Sequence, residues 1–87
     1  MLDIHIVYSD PKDLQLLNIT NSKQQPFIHS YYINSLEDRS KGFKLKATWG
    51  AKLDPFVYLE IDGKPHRCFY TETGENAVSQ LIKFLQK

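Results

Sequence analysis

Residues 53–70, LDPFVYLEIDGKPHRCFY, carry the strongest structural signal in this sequence. Residues 56–61 and 66–70 are rich in aromatic and β-branched side chains, which favour strands. Residues 62–65, which lie between them, begin with Asp-Gly, a dipeptide that strongly favours a tight hairpin turn. The pattern predicts two antiparallel strands, with Pro55 standing directly before the first one.

The sequence after this hairpin predicts a closing helix. Residues 73–76, Thr-Gly-Glu-Asn, provide a cap for its N-terminus. Apolar side chains then recur at the three- and four-residue spacing of a helix that buries one face. These positions are Ala77, Val78, Leu81, Ile82 and Leu85.

The N-terminal third predicts a strand, a short helix and a second strand. Apolar residues alternate along residues 2–8, as in a strand with one face more buried than the other. Asp10 is placed to cap the following helix, and Pro11 suits its first position. We expect this helix to end within residues 18–21. Residues 27–33, FIHSYYI, form the second predicted strand.

The segment before Pro55 has the weakest pattern, and it leaves two folds open. Ser35 is placed to start one or two helical turns, which Gly42 would stop. Residues 43–49 alternate between apolar and polar, and we expect them to be extended. The main prediction is an α/β fold, β-α-β followed by β-β-α, around a mixed four-stranded sheet. The alternative is an α+β fold in which residues 27–70 form an antiparallel meander flanked by two helices.

This order of elements resembles the thioredoxin fold, and the chain is similar to the short glutaredoxins that phages encode. Pro55 stands where that family keeps a cis-proline, and residues 61–65 resemble the family's hairpin turn. Residues 36–52 map poorly onto the family's second helix. The resemblance implies one thioredoxin-like domain over residues 1–87, with a cis peptide bond before Pro55.

The pair of redox cysteines that the family carries is missing here. It would lie where the first strand meets the first helix, and this chain has Ser9-Asp10-Pro11-Lys12 there. Thiol–disulfide exchange needs one thiolate to attack and a second thiol to resolve the mixed disulfide. The only cysteine, Cys68, lies on the last predicted strand and is better explained as a small core residue.

The resemblance also implies a binding groove. In thioredoxin-like proteins the loop before the cis-proline lies beside the N-terminus of the first helix, and together they bind extended peptide or glutathione. The expected members here are Ser9, Asp10, Pro11, Lys12, Asp54 and Pro55, with Trp49 at the rim. In the alternative interpretation, Trp49 fills the core and Asp54 only caps a turn.

One stretch of the chain is strongly basic. Residues 39–52 contain five basic and no acidic residues, whereas the rest of the chain has six basic and ten acidic ones. The five are Arg39, Lys41, Lys44, Lys46 and Lys52. Phe43 and Trp49 are interleaved with them, and basic side chains with aromatic ones can grip single-stranded nucleic acid. The alternative is an edge strand whose lysines face water and discourage aggregation.

Three histidines are the only candidates for metal binding or general-base chemistry. His5, His29 and His66 lie on different predicted strands and could converge as ligands. Ordinary strand positions explain them better, because no carboxylate or cysteine lies at ligand spacing. A hydrolase triad of Ser9, His29 and Asp54 can also be drawn, but Ser9 lacks the glycine-flanked turn that exposes a nucleophile. We predict neither a metal nor a cofactor.

Length and composition limit the number of domains and the kinds of partner that we expect. With 87 residues, the chain fits one domain. Its formal net charge of +1 does not attract the whole molecule to nucleic acid or to a membrane surface. No apolar run approaches the roughly 20 residues that cross a bilayer, and the N-terminus lacks the blocks of a secretory signal. We expect a cytoplasmic protein, or a virion component if a phage encodes it, without a membrane partner.

Three functions follow, in order of preference. The first is a redox-inactive thioredoxin-like module that binds a protein partner, which would not be an enzyme. The second is a small nucleic-acid-binding protein that uses residues 39–52. The third is a monothiol glutaredoxin-like oxidoreductase that uses Cys68.

Overall fold

The computed structural model describes residues 1–15 and 27–86. Within these residues it has four strands and three helices. In chain order they are β1 (Leu2–Tyr8), α1 (Pro11–Gln15), β2 (Phe27–Tyr32), α2 (Leu36–Trp49), β3 (Phe56–Ile61), β4 (Lys64–Tyr70) and α3 (Ala77–Leu85). The predicted end of the first helix, at residues 18–21, lies outside the described residues. None of the helices in the described ranges has the length and apolar character needed to cross a membrane.

The four strands form one mixed sheet in the order β2-β1-β3-β4. β1 runs parallel to β2 and antiparallel to β3, and β3 and β4 form the hairpin. Asp62 and Gly63 turn this hairpin with φ of 53° and 79°, the positive values that a type I′ turn requires. The predicted α/β fold with its mixed four-stranded sheet is confirmed. The antiparallel-meander alternative is wrong, because a helix separates β2 from β3.

The sheet is covered on both faces. Successive residues of a strand point to opposite faces, so Ile6 of β1 packs on the α3 side while Val7 packs on the α2 side. α3 contributes Val78 and Leu81, which are both fully buried. Asn76 caps α3, as predicted, by accepting a hydrogen bond from the amide of Val78 at 2.7 Å. The core therefore has two layers, one on each side of the central strands.

The prediction for the middle of the chain is wrong. Residues 43–49 are not extended, because they form the second half of α2, which runs unbroken from Leu36 to Trp49. Lysine, alanine and leucine form helices readily. Leu45 and Trp49 are four residues apart and both pack on the sheet. They belong to the alternating pattern, but they also have the spacing of one face of a helix. The edge strand with water-facing lysines does not exist.

Gly42 does not stop this helix but lets it approach the sheet. A Cβ atom at this position would lie 3.1 Å from Cγ1 of Val7, inside ordinary van der Waals contact. The helix ends instead at Gly50, whose φ of 72° is a left-handed value that suits glycine. The glycine that the sequence offers as a helix stop is therefore a packing residue.

We expect Gly42→Ala to destabilise the protein, although alanine is the better helix former. Val7 is fully buried in a central strand, so overpacking, which costs about 1–3 kcal/mol, outweighs the roughly 1 kcal/mol of helix propensity. Urea unfolding should give a free energy of unfolding about 1 kcal/mol lower than wild type. Ser40→Ala, at an exposed position of the same helix, is the control and should cost nothing. A Gly42→Ala variant more stable than wild type would contradict this packing.

Candidate functional site

The two predicted halves of the groove lie at the same end of the sheet. β1 and β3 pair antiparallel, with the end of β1 opposite the start of β3, so Ser9 is next to Asp54 and Pro55. The peptide bond between Asp54 and Pro55 is cis, as the resemblance implies. Pro55 itself is buried, and we call the surface that residues 9–12 and Asp54 form beside it the proline groove.

On the α1 side of the proline groove, an acidic cap occupies the helix start. Oδ1 of Asp10 accepts a hydrogen bond from the amide of Lys12 at 3.0 Å. The side-chain amide of Asn34 donates to the carbonyl of Ser9 at 3.3 Å, which holds the residues before α2 alongside. The side chains of residues 10–12 are exposed and remain available to a ligand.

On the other side, the loop before β3 is tied to two helices. Asp54 forms an ion pair with Lys46 of α2, and only 8% of Lys46 is exposed. The hydroxyl of Thr71 donates to the carbonyl of Pro55 and accepts a hydrogen bond from the amide of Ala77, at the start of α3, at 3.0 Å. Asp54 therefore does more than cap a turn, because it neutralises a buried cation.

The main chain of Asp54 is the part of this groove that could pair with an extended ligand. Within the described residues, neither its amide nor its carbonyl has a main-chain hydrogen-bond partner. The neighbouring Leu53 is 56% exposed, and Leu36, at the start of α2, is 86% exposed. An unpaired N–H and C=O can bind an extended chain as a strand does, and apolar side chains nearby can contact its side chains.

Behind the proline groove, Asp13 is partly buried between α1 and α3. Burial raises the pKa of Asp13, and the charges of Asp10 and Asp54 raise it further, while the side-chain amide of Asn76, at 3.0 Å, lowers it. The net effect is a raised pKa, so a charged Asp13 is disfavoured in the folded protein relative to the unfolded chain.

Trp49 packs on the sheet beneath α2. Its ring centroid lies 5.2 Å from that of Tyr58, and the side chain is half-buried against the cluster that contains Val7 and Phe56. One side of Trp49 therefore packs against the core, and the rest of its side chain stays exposed on the α2 side of the sheet.

The basic residues of the 39–52 stretch are not equally available. Lys46 is buried against Asp54, and Arg39 donates through Nε to the carbonyl of Ile33 at 3.1 Å. The exposed lysines are Lys41, Lys44 and Lys52. The stretch therefore offers phosphate groups fewer uncommitted charges than the sequence suggests.

No family model, curated protein or solved structure matches this chain. The resemblance to thioredoxins therefore rests on the order of the elements, the position of Pro55 and the hairpin turn at residues 61–65. The ligands of the protein have to be inferred from the surfaces that its own residues form.

The three histidines do not meet at one site. The rings of His5 and His29 stack with centroids 4.5 Å apart, whereas His66 lies on β4 beside α3. No group of three metal-ligating side chains occurs in the described part of the chain. The hydrolase triad is not assembled, because His29 pairs with Asp3 at 3.1 Å and lies far along the sheet from Ser9.

Sequence reasoning missed a hydrogen-bonded chain on the α2 face of the sheet. Nδ1 of His5 lies 3.0 Å from the hydroxyl of Tyr31, and Nε2 lies 2.5 Å from the carboxylate of Glu60. These side chains come from three strands. The alternation along β1 places His5 on the same face as Val7. Its neighbours on the other strands depend on the strand register, which pairs His5 with Tyr58 of β3.

We expect Asp13→Asn to stabilise the protein at pH 7 and to leave its stability unchanged at pH 3. The pKa of Asp13 is higher in the folded protein than in the unfolded chain. Its contribution to stability is therefore complete below the unfolded pKa, about 4. That contribution is lost as the pH rises through the folded pKa. Asparagine removes the charge and keeps an acceptor for Asn76. Melting temperatures at pH 3, 5 and 7 measure the effect.

Glu72→Gln is the control for this pH series, because Glu72 is exposed and should give the same melting temperature as wild type at each pH. An Asp13→Asn variant whose melting temperature differs from wild type equally at pH 3 and pH 7 would show that burial of the charge is not the cause.

Proposed function

We propose that this protein is a redox-inactive thioredoxin-like module that binds an extended segment of a partner protein in the proline groove. The observation that carries the proposal is the main chain of Asp54, which lies before a cis-proline and whose amide and carbonyl have no main-chain partner among residues 1–15 and 27–86. It faces the end of β1, where Ser9 to Lys12 replace the redox cysteines of the resembled family. A cytoplasmic partner fits the single cysteine of the chain.

Recognition of an extended segment is favoured by the rigidity of the groove. The ion pair to Lys46 and the Thr71 hydroxyl hold the loop before β3 in place, so little ordering is needed when a ligand binds. Main-chain pairing at Asp54 supplies affinity that does not depend on the ligand's sequence. Leu53, the residue before Asp54, favours a segment with an apolar side chain beside the paired residue.

The environment of Cys68 argues against the monothiol alternative. Cys68 is half-buried on β4, and burial raises the pKa of its thiol, an effect that a hydrogen bond with Tyr70 only partly offsets. A nucleophilic cysteine needs a lowered pKa, so that the thiolate is present at neutral pH. The proposed module therefore binds its partner without thiol chemistry.

Selection from a random displayed peptide library, followed by NMR titration, tests the groove. We expect selected peptides to shift the backbone amide signals of residues 9–12 and 53–54 and to bind in an extended form. Peptides that shift signals elsewhere, with these amides unmoved, would contradict the proposal. So would a library that yields no binder.

Two matched variants locate the surface further. Leu53→Glu and Ile61→Glu each put a carboxylate in place of a half-exposed aliphatic side chain, at opposite ends of β3. We expect Leu53→Glu to weaken peptide binding at least tenfold, about 1.4 kcal/mol, and Ile61→Glu to leave it unchanged. Cys68→Ser should also bind as wild type. Equal losses from the two glutamate variants would place the binding site elsewhere.

A further inference from the structure

An open cleft of about 480 Å³ lies between α2 and the face of the sheet, away from the proline groove. Its floor contains His5, Tyr31, Tyr58 and Glu60 from three strands, and α2 forms its wall. We call it the α2 cleft. Its volume is within the range of small-molecule sites, and the proposed function leaves it unused.

The floor of the α2 cleft presents a carboxylate that is held in position. Glu60 accepts from Nε2 of His5, whose other nitrogen is hydrogen-bonded to Tyr31. A carboxylate accepts several hydrogen bonds, so Glu60 retains capacity for a donor on a ligand. Burial, together with the charges of Glu60 and Asp38, raises the pKa of Tyr31. Its phenol therefore stays protonated at neutral pH and keeps its O–H for hydrogen bonding.

The other lining residues are aromatic and cationic. Trp49, which is half-buried, offers a ring surface on which a flat heterocycle can stack, and the buried ring of Tyr58 supports it at 5.2 Å. Lys41 and Lys44 line the same cleft from one side of α2, three residues apart, and both are exposed. Aromatic rings with adjacent lysines recognise a base together with its phosphate.

We propose that the α2 cleft binds a nucleoside monophosphate, with guanine as the preferred base. The base would stack on Trp49 and donate N1–H and its exocyclic amine to Glu60, while Lys41 and Lys44 contact the phosphate. Uracil has a single N–H between two carbonyl oxygens, which a carboxylate repels, so uridine nucleotides bind more weakly. A nucleotide of roughly two dozen non-hydrogen atoms is of the ligand size that such clefts hold.

The shared chemistry, a base with its phosphate, is found both in free nucleotides and in single-stranded nucleic acid. Fluorescence separates them, because Trp49 is the only tryptophan of the chain and lines the cleft. We expect GMP to quench its emission saturably and to bind at least tenfold tighter than UMP. A second fluorescence titration uses short uracil strands with and without one guanine. Tighter binding of the guanine strand than of GMP, with displacement by GMP, would identify a strand as the source.

Three variants test the assigned contacts. Lys41→Glu with Lys44→Glu should weaken GMP at least tenfold and leave guanosine unchanged, since guanosine has no phosphate. Glu60→Gln should reduce the preference of GMP over UMP to less than threefold. Lys12→Glu, in the proline groove, is the control and should bind GMP as wild type does. Circular dichroism spectra check that each variant is folded.

Several results would overturn the proposal. One is the absence of saturable quenching by any nucleotide or strand at millimolar concentration. Another is equal affinity for GMP and UMP in the wild type. GMP binding that survives the double lysine variant, or strand binding that GMP does not displace, would also overturn it. None of these results bears on peptide binding in the proline groove, because the two surfaces share no residue.

Discussion

The buried ion pair between Lys46 and Asp54 connects the two halves of this structure. Lys46 is only 8% exposed, and a lysine is costly to bury unless a carboxylate partner compensates for the lost water. The pair therefore fixes α2 against the loop that precedes Pro55. Because α2 forms one wall of the α2 cleft and the loop forms one side of the proline groove, a single contact positions both candidate surfaces.

The two surfaces differ in chemistry because they use different parts of the sheet. The proline groove lies at the end of the central strands, where Asp54 presents main-chain groups and Leu53 an exposed apolar side chain. The α2 cleft lies on the face of the sheet that packs against α2. Apolar residues such as Val7 occupy this face near the end of β1, whereas His5 and Glu60 occupy it nearer the start of β1 and the end of β3. One surface favours an extended chain, and the other favours a flat, charged ligand.

Local signals explain why much of the fold was predictable. The Asp62-Gly63 turn and the Asn76 cap depend on neighbouring residues only. Elements that depend on distant partners were not predictable. The role of Gly42 depends on Val7 in another strand, and the alternation at residues 43–49 fits a strand as well as a helix. The contacts of His5 require a strand register that a single sequence does not reveal, and the ion pair of Lys46 requires the position of α2 against the loop before β3.

A double-mutant cycle on Lys46→Met and Asp54→Asn, followed by urea unfolding, measures the coupling between α2 and the proline loop. Each single variant leaves one charge without its partner, so we expect each to lower the free energy of unfolding by about 3 kcal/mol. The double variant should lose at least about 1 kcal/mol less than the two single losses together. Losses that add to within about 0.5 kcal/mol would show that the two residues are independent and would contradict the role assigned to this ion pair.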